Sequence, residues 1–240
     1  MVKVTYPNEK VLVACPTFKG KHYALEAYLS AYNAFSYPLK GLYMVDTGGD
    51  GLRYFEHLKS LKVDCDHLNP TRDWQETLTC AWKMIAEKAK NGNYNWICSI
   101  EQDNICPPLT LDVLLNIAGY CKSAHVAHGY PWHKFQSEMG LLIGLGCNLI
   151  LTDLLVEIFS RDQWYTDAIE SELYEYPKLK HYPTVEVYNL IDIQHMDDEA
   201  GVEYYQFEKP VIPKFTRGTT MEMKPKKYNI GEGENASSSN

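Results

Sequence analysis

Two acidic residues, Glu101 and Asp103, follow directly after an apolar run at residues 96–100. The run has the length of a short buried strand, and the prolines at 107–108 prevent it from continuing. Carboxylates at the carboxyl end of a central strand lie in the crevice where open α/β sheets bind ligands. If the two acids follow the alternation of the strand, they share one face and can both reach a hard cation or a ribose. The spacing therefore indicates a Mg²⁺ or Mn²⁺ site completed by substrate phosphates, with a simple polar turn as the alternative.

Two further polar loops follow predicted strands nearer the N-terminus. A strand at residues 11–14 is closed by the loop at 16–20, and a strand at 41–45 ends in the acidic, glycine-rich loop at 46–51. Strands that alternate with helices form parallel sheets, and their carboxyl ends meet at one edge. We therefore expect both loops to converge with the two acids described above.

The spacing of apolar side chains predicts the elements that hold these loops. Apolar residues recur at steps of three and four from Leu25 to Phe35, and Asp73 begins a capped helix that ends near residue 91. The other predicted elements are a helix at 52–61, a strand at 63–68, a helix at 109–121, strands at 125–128 and 141–151, a helix capped by Thr152 and Asp153 that runs to 159, a short helix after 167 and a strand at 185–193. This alternation predicts an α/β fold with a mostly parallel central sheet and helices on both faces.

Length, composition and charge bound the class of protein. The 240 residues, 45% hydrophobic and 22% charged, suit a single α/β domain with a sizeable core. The formal net charge is -8, and the only short basic cluster lies at 224–227, which argues against extensive nucleic-acid binding. We expect one domain over residues 1–230 and a disordered tail rich in Gly, Asn and Ser at 231–240.

The cysteines and the apolar segments predict a cytoplasmic location. The 7 cysteines are scattered without paired spacing, which favours a reduced, intracellular protein and argues against structural zinc. Residues 1–10 are polar and lack the pattern of a signal peptide. Glycine, asparagine and acidic residues interrupt the apolar stretch at 140–159, so we expect no membrane span.

The order of the three loops resembles that of the GT-A glycosyltransferases, especially the family 2-like group. Residues 11–18 look like their opening strand with its Pro-Thr-aromatic turn, and residues 42–50 look like their second strand, which ends in an acid and small residues. Residues 100–108 resemble the strand that bears their DxD motif, which is followed by prolines. The sequence departs from that motif in its first acid, which is glutamate. The resemblance covers about the first 150 residues and is loose beyond them.

The resemblance implies a function and a role for particular residues. It implies a metal-dependent, inverting glycosyltransferase that moves a sugar from a nucleotide-diphosphate sugar to an acceptor hydroxyl, with residues 1–150 facing the donor and 151–230 the acceptor. A Mn²⁺ or Mg²⁺ ion would neutralise charge on the leaving diphosphate. The implied site residues are Pro16, Thr17, Phe18, Asp46, Arg72 and Glu101 for the nucleotide sugar, Asp103 and His195 for the metal, and the acidic pair Asp167 and Glu170 for catalysis, with Asp167 as the base.

Other interpretations stay open at this point. Asp167 is also suited to be an N-cap, and Arg72 to be an ordinary surface arginine. The glutamate in the first acid position is compatible with a nucleotide-sugar-binding module that has the same fold but no catalysis. A sugar-phosphate nucleotidyltransferase has a related fold, but the loop at 16–20 lacks the glycine-rich, basic signature of that group. The sequence does not identify the acceptor, the sugar or the nucleotide.

Overall fold

The computed structural model describes residues 9–129, 135–137, 140–142, 145–161, 168–188, 190–197 and 201–203. Within these residues the strands are β1 (Val11–Thr17), β2 (Lys40–Asp46), β3 (Cys65–His67), β4 (Trp96–Ile100), β5 (Asn104–Ile105), β6 (His125–Gly129), β7 (Phe135–Ser137), β8 (Gly140–Leu142), β9 (Cys147–Leu151), β10 (Thr184–Tyr188), β11 (Gln194–Asp197) and β12 (Gly201–Glu203). The α-helices are α1 (Leu25–Ala34), α2 (Arg53–Ser60), α3 (Trp74–Asn91), α4 (Thr110–Cys121), α5 (Thr152–Phe159) and α6 (Ile169–Leu179), and a 3₁₀-helix spans Lys19–Ala24.

The centre of the fold is a seven-stranded sheet with the order β10-β6-β9-β4-β1-β2-β3. Strand β9 is antiparallel to its neighbours β4 and β6, whereas the pairs β1–β2, β1–β4, β2–β3 and β6–β10 are parallel. A smaller antiparallel sheet has the order β12-β11-β5, and β7 pairs with β8. The prediction of an α/β fold with a mostly parallel sheet is confirmed.

The alternation of side chains along β1 explains why helices cover both faces of the sheet. Val11 and Val13 belong to a buried cluster with side chains of α1, α2 and α4. Leu12 and Ala14, which point the other way, belong to a second cluster with side chains of α3, α5 and α6. The sheet therefore has a hydrophobic layer on each side, as the sequence predicts.

Helix α3 shows how the local sequence fixes one of these elements. Asp73 lies at the N-cap position, and its side chain accepts a hydrogen bond from the backbone N–H of Gln75, as expected for a cap. Ala81, Trp82 and Ile85 fall at helical spacing and are buried against the sheet. The predicted start of the helix is confirmed, and this start also sets the position of the exposed first turn.

Two strands predicted from apolar runs are divided in the structure. The run at 141–151 contributes to both β8 and β9, and the run at 185–193 belongs to β10 only as far as Tyr188. The backbone N–H of Ile193 donates to the carbonyl of Ile191 at 3.1 Å, so the chain turns there and enters the smaller sheet as β11. The predictions of two continuous strands were wrong, because an apolar run does not show where the backbone changes sheets.

The predicted cap of α5 was also wrong. The N-cap position is held by Leu151, without a side-chain hydrogen bond, and Thr152 is already the first helical residue. The backbone N–H of Thr152 instead donates to the carbonyl of Asn95 at 3.0 Å. The start of α5 is therefore fixed by the end of the neighbouring chain segment, which a local cap motif does not reveal.

None of the helices in the described ranges is long and apolar enough to cross a membrane. Asp167 and the predicted tail at 231–240 lie outside the described residues.

Candidate functional site

The carboxyl ends of β1, β2 and β4 form one edge because these strands are parallel and adjacent. Thr17 ends β1, Asp46 ends β2, and Glu101 follows β4. The backbone N–H of Thr47 donates to the carbonyl of Thr17 at 2.8 Å, and the Thr17 hydroxyl donates to the side-chain oxygen of Gln102. The three loops that the sequence analysis expected to converge therefore meet at this edge.

A tight turn after β4 carries the two acids and places a histidine beside them. The backbone N–H of Asn104 donates to the carbonyl of Glu101 at 2.9 Å, and Asn104 then starts β5. In the antiparallel pair of β5 and β11, His195 lies opposite Asn104. The backbone N–H of Met196 donates to the carbonyl of Asp103 at 2.8 Å. This pairing brings His195 to the acids from a distant part of the chain, as the predicted metal pair requires.

Glu101 and Asp103 share the ammonium group of Lys21. The Nζ atom lies 3.1 Å from Oε2 of Glu101 and 3.0 Å from Oδ1 of Asp103. The side chains of Lys21 and Asp103 are only 22% and 9% exposed, whereas that of Glu101 is 41% exposed. Burial by itself would lower the pKa of Lys21, but the charges of both carboxylates outweigh it and raise that pKa. Lys21 therefore keeps its positive charge between the two acids.

Asp103 also contacts His195. The Nε2 atom of His195 lies 3.5 Å from Oδ2 of Asp103. This contact raises the pKa of His195 above its ordinary value. Burial would raise the pKa of Asp103, but the contacts with His195 and Lys21 outweigh it, so that the pKa of this carboxyl is lowered. The carboxylate of Asp103 therefore stays ionised between Lys21 and His195.

Gln102, between the two acids, is the structural centre of the turn. It is 0% exposed, and its side-chain oxygen accepts hydrogen bonds from the hydroxyls of Thr17 and Tyr54. Its side-chain nitrogen donates to the backbone carbonyl of Lys21. One amide thus links β1, α2 and the 3₁₀-helix to the turn that carries the acids. The local sequence does not reveal these roles of Gln102, Tyr54 and Lys21, because the residues meet only through the fold.

The predicted nucleotide-binding residues at the ends of β1 and β2 differ in the solvent exposure of their side chains. Phe18 is exposed and Pro16 is partly exposed, whereas Thr17 and Asp46 are buried. One oxygen of Asp46 accepts from the backbone N–H of Gly48 at 3.0 Å, and the other lies 2.8 Å from Nδ1 of His67. Asp46 is therefore at the predicted edge, but its carboxylate is engaged inside the protein.

Arg72, the remaining predicted nucleotide contact, is exposed in the segment that leads into α3. The segment is ordered by Thr71, whose N–H donates to the Thr77 hydroxyl at 2.9 Å and whose hydroxyl donates to the carbonyl of Asp73 at 2.7 Å. Among the described residues, Arg72 forms no hydrogen bond or ion pair with the acidic turn.

Glu170 lies in the first turn of α6. Burial raises the pKa of Glu170, and the negative charge of Glu101 raises it further, so the two carboxylates lie close enough to repel. Glu170 also lines a shallow surface depression together with Leu78 and Trp74. The Trp74 indole is 65% exposed, which is unusual for so large an apolar side chain. The position of Trp74 directly after the Asp73 cap is the feature of the sequence that could have indicated an exposed ring here.

The donor set of the cluster fits a divalent metal ion chemically. Carboxylate oxygens suit Mg²⁺ and Mn²⁺, and an imidazole nitrogen is a common ligand of the transition metals. Asp103 and His195, the predicted ligands, are in contact, and Glu101 and Asp103 already share a cation, the ammonium of Lys21. In the conformation described here, no three His, Cys, Asp or Glu side chains of the described ranges converge on one point as metal ligands. The cluster is thus a cation site in which Lys21 supplies the positive charge.

Comparisons with known proteins give no sequence family but do give a fold. No protein-family model matches the sequence, and no curated protein matches it. The mannosyltransferase PcManGT from Pyrobaculum calidifontis, solved in complex with GDP-Man and Mn²⁺, aligns over 77% of this chain and 56% of its own, with 15% identity and a TM-score of 0.56. A cytidylyltransferase from Leptospira borgpetersenii serovar Hardjo-bovis (strain JB197) aligns over 77% of this chain and 78% of its own, with 14% identity and a TM-score of 0.54.

A third similar structure is S. aureus TarS 1-349, which aligns over 69% of this chain and 53% of its own, with 16% identity and a TM-score of 0.47. The chain therefore spans about half the length of TarS 1-349 and of PcManGT. At identities this low, similarity in structure establishes the fold and nothing finer. The chain has a GT-A-like fold, the mixed α/β fold of nucleotide-sugar transferases.

Proposed function

We propose that this protein transfers a sugar from a nucleotide-diphosphate sugar that binds in the crevice at the carboxyl ends of β1, β2 and β4. The observation that carries the proposal is the convergence of Glu101, Asp103, His195 and Lys21 at this edge of a GT-A-like fold. Open α/β sheets bind their ligands at this edge, and a part-buried cluster of ion pairs is weak evidence for a purely stabilising role.

The nucleoside lies against the ends of β1 and β2 in this proposal. Phe18 offers an exposed ring on which a base can stack, next to Pro16 and Thr17. Asp46 acts as a positioning residue, because its buried carboxylate orients the ring of His67 and the loop at Gly48. Arg72 is exposed on an ordered segment, and its guanidinium can reach a phosphate or the base.

Asp103 and His195 are the proposed protein ligands of Mn²⁺ or Mg²⁺, with Glu101 beside them as an additional ligand or a ribose contact. A divalent ion at this place supplies charge neutralisation for the departing diphosphate. PcManGT, which shares the fold, was solved with GDP-Man and Mn²⁺. Asp103 stays ionised because its contacts lower its pKa, and an ionised carboxylate is the form that binds a metal ion.

The acceptor side is assigned to the acidic pair Asp167 and Glu170, with Asp167 as the proposed base and inversion as the proposed outcome. An acceptor hydroxyl must lose its proton as it attacks the anomeric carbon, and a carboxylate within hydrogen-bond reach accelerates this step. Glu170 is the member of the pair that the structure describes, and its raised pKa suits a group that takes up a proton.

A nucleotide-sugar-binding module without catalysis is the second candidate. The observation that favours it is the Lys21 ammonium between Glu101 and Asp103, because this ion pair already satisfies the acids that a metal would need. Such a module would bind the donor and would never release a nucleoside diphosphate from it.

Donor turnover tests the proposal and separates the two candidates. The protein is incubated with UDP-, GDP- and CDP-sugars with and without Mn²⁺, and the release of free nucleotide is followed by chromatography. We expect slow, metal-dependent release from one donor, and a loss of about 100-fold or more in Asp103→Asn, because the metal loses a charged ligand. Asp153→Asn is the control, since Asp153 is exposed in the first turn of α5, at the opposite edge of the sheet.

Two results would contradict the proposal in different ways. Metal-dependent release that persists in Asp103→Asn would show that the site is assigned wrongly. Donor binding without release from any nucleotide sugar would favour the binding module.

A further inference from the structure

The Lys21 ammonium raises a question of charge balance at the proposed donor site. Two carboxylates, Glu101 and Asp103, face one ammonium, so the three groups carry no surplus positive charge. A diphosphate that arrives alone meets an ion pair that does not attract it. A divalent cation that arrives alone must displace Lys21, which already balances one of the two carboxylate charges. Each of the two ligands is therefore disfavoured without the other.

The backbone of Lys21 is anchored, whereas its ammonium is held by two side-chain contacts, to Glu101 and to Asp103. The backbone N–H of Lys21 donates to the carbonyl of Phe18 at 2.9 Å, and its carbonyl accepts from the buried side chain of Gln102. The ammonium lies at the end of a flexible four-carbon stem, and the side chain is still 22% exposed. The head group can therefore turn away from the acids while the 3₁₀-helix that carries it stays in place.

We propose that Lys21 is a displaceable internal counter-ion which couples the binding of the metal ion to the binding of the nucleotide diphosphate. This inference rests on the proposed function. Lys21 leaves Glu101 and Asp103 when a divalent cation takes its place, and its ammonium then pairs with the phosphates. By linkage, the factor by which the cation increases the affinity for the diphosphate equals the factor by which the diphosphate increases the affinity for the cation.

The surroundings of Lys21 support exchange rather than a purely structural ion pair. Asp103 keeps a second neighbour in His195, whose Nε2 lies 3.5 Å from Oδ2 of Asp103, when Lys21 turns away. Glu101 is 41% exposed and can be solvated. Because desolvation offsets much of the attraction within a part-buried ion pair, the contacts of Lys21 with the two acids are weak evidence for a purely stabilising role.

The first test measures the binding of Mn²⁺ alone, by calorimetry or by the electron paramagnetic resonance signal of the free ion. The variant Lys21→Gln removes the competing charge, so we expect Mn²⁺ to bind about tenfold more tightly than to the unmodified protein. Lys19→Gln is the matched control, because Lys19 is exposed in the same 3₁₀-helix and loses the same charge. Lys19→Gln should bind Mn²⁺ as the unmodified protein does.

The second test measures coupling. In the unmodified protein, UDP, GDP or CDP should tighten the binding of Mn²⁺, and in Lys21→Gln this effect should shrink about tenfold. Thermal melting checks that the variants are folded, and Lys21→Met, which keeps most of the aliphatic stem, replaces Lys21→Gln if that variant does not fold.

The inference is overturned if Mn²⁺ binds to Lys21→Gln no more tightly than to Lys19→Gln, or if the loss of Lys21 leaves the coupling unchanged. A failure of the proposed function looks different. In that case Mn²⁺ would still bind more tightly to Lys21→Gln, but no nucleoside diphosphate would bind to any variant. The proposed coupling would then be wrong together with the proposed function.

Discussion

Glu170 differs from the other acids of the crevice in its charge environment. The contacts with His195 and Lys21 lower the pKa of Asp103, whereas burial and the charge of Glu101 raise the pKa of Glu170. Acids whose environments push their pKa values apart can take different roles in one site. Asp103 is suited to bind a cation, and Glu170 is suited to accept a proton.

Replacement of Glu170 tests this division of roles. We expect Glu170→Gln to lower the rate of metal-dependent donor hydrolysis by about 100-fold, because Glu170 belongs to the proposed acidic pair and proton transfer by positioned side chains contributes factors of this order. The affinity for the nucleoside diphosphate should stay within about twofold, since the amide keeps the size of the side chain. Calorimetry gives the affinity, and chromatography of released nucleotide gives the rate.

Glu175→Gln on the same helix is the control for this experiment. Glu175 pairs with Lys178 at 3.6 Å, near the other end of α6. If both variants hydrolyse the donor as fast as the unmodified protein, Glu170 takes no part in the proposed proton transfer.

Individual residues also show what sequence alone can establish about the site. Glu101 and Asp103 could be identified because their type and spacing after a strand carry the signal. The partner of both, Lys21, could not, because nothing in its local sequence shows that the chain brings it within 3.1 Å of acids eighty positions away. For Asp46, the sequence predicted the position at the end of β2 but not the buried contacts with Gly48 and His67, because these contacts depend on the fold.

At the scale of elements, strong periodicity predicted the structure well. Helices α1 and α3 and strands β2 and β4 lie within a few residues of their predicted bounds, because their apolar side chains repeat with a clear period. Strand β1 extends to Thr17, beyond the predicted end at Ala14, and a 3₁₀-helix begins at Lys19, so only Phe18 of the predicted loop at 16–20 lies in neither element. Boundaries depend on tertiary hydrogen bonds, which local patterns do not contain.

The pairing of β5 with β11 is the element contact that sequence could not supply. Strand β5 has only two residues, and its two paired positions with β11 place His195 opposite Asn104. The predicted strand at 185–193 would have placed His195 just beyond a strand of the main sheet. The structure places it in a separate small sheet instead, yet still beside Asp103, so the proposed metal pair survives the correction.

For the molecule as a whole, His125 predicts a loss of stability in acid. It lies at the start of β6, is 1% exposed and packs its ring against that of Tyr174. Burial lowers the pKa of His125 from 6.5 to about 4. The unfolded chain therefore binds a proton below pH 6.5 that the folded protein does not bind until about pH 4. Stability is fully present above the higher value and is lost as the pH falls through this window.

We expect the free energy of unfolding to fall by about 2 kcal/mol because of His125 when the pH is lowered from about 7.5 to about 5. Urea unfolding at both pH values measures this loss. In His125→Asn the loss should be smaller by a similar amount, whereas the exposed His181, changed to Asn, should leave it unaltered. An equal pH dependence in all three proteins would contradict the assignment to His125.

The most direct test of the central claim, that the crevice binds a nucleotide-diphosphate sugar with a divalent cation, is a thermal-shift titration. Nucleoside diphosphates and their sugars are screened with and without Mn²⁺, because a ligand at a hundred times its Kd stabilises the fold by about 2.7 kcal/mol. We predict that one nucleotide raises Tm by several degrees only with Mn²⁺, and that Asp103→Asn abolishes the shift while Asp153→Asn keeps it. No shift with any nucleotide, or a shift that persists in Asp103→Asn, would contradict the claim.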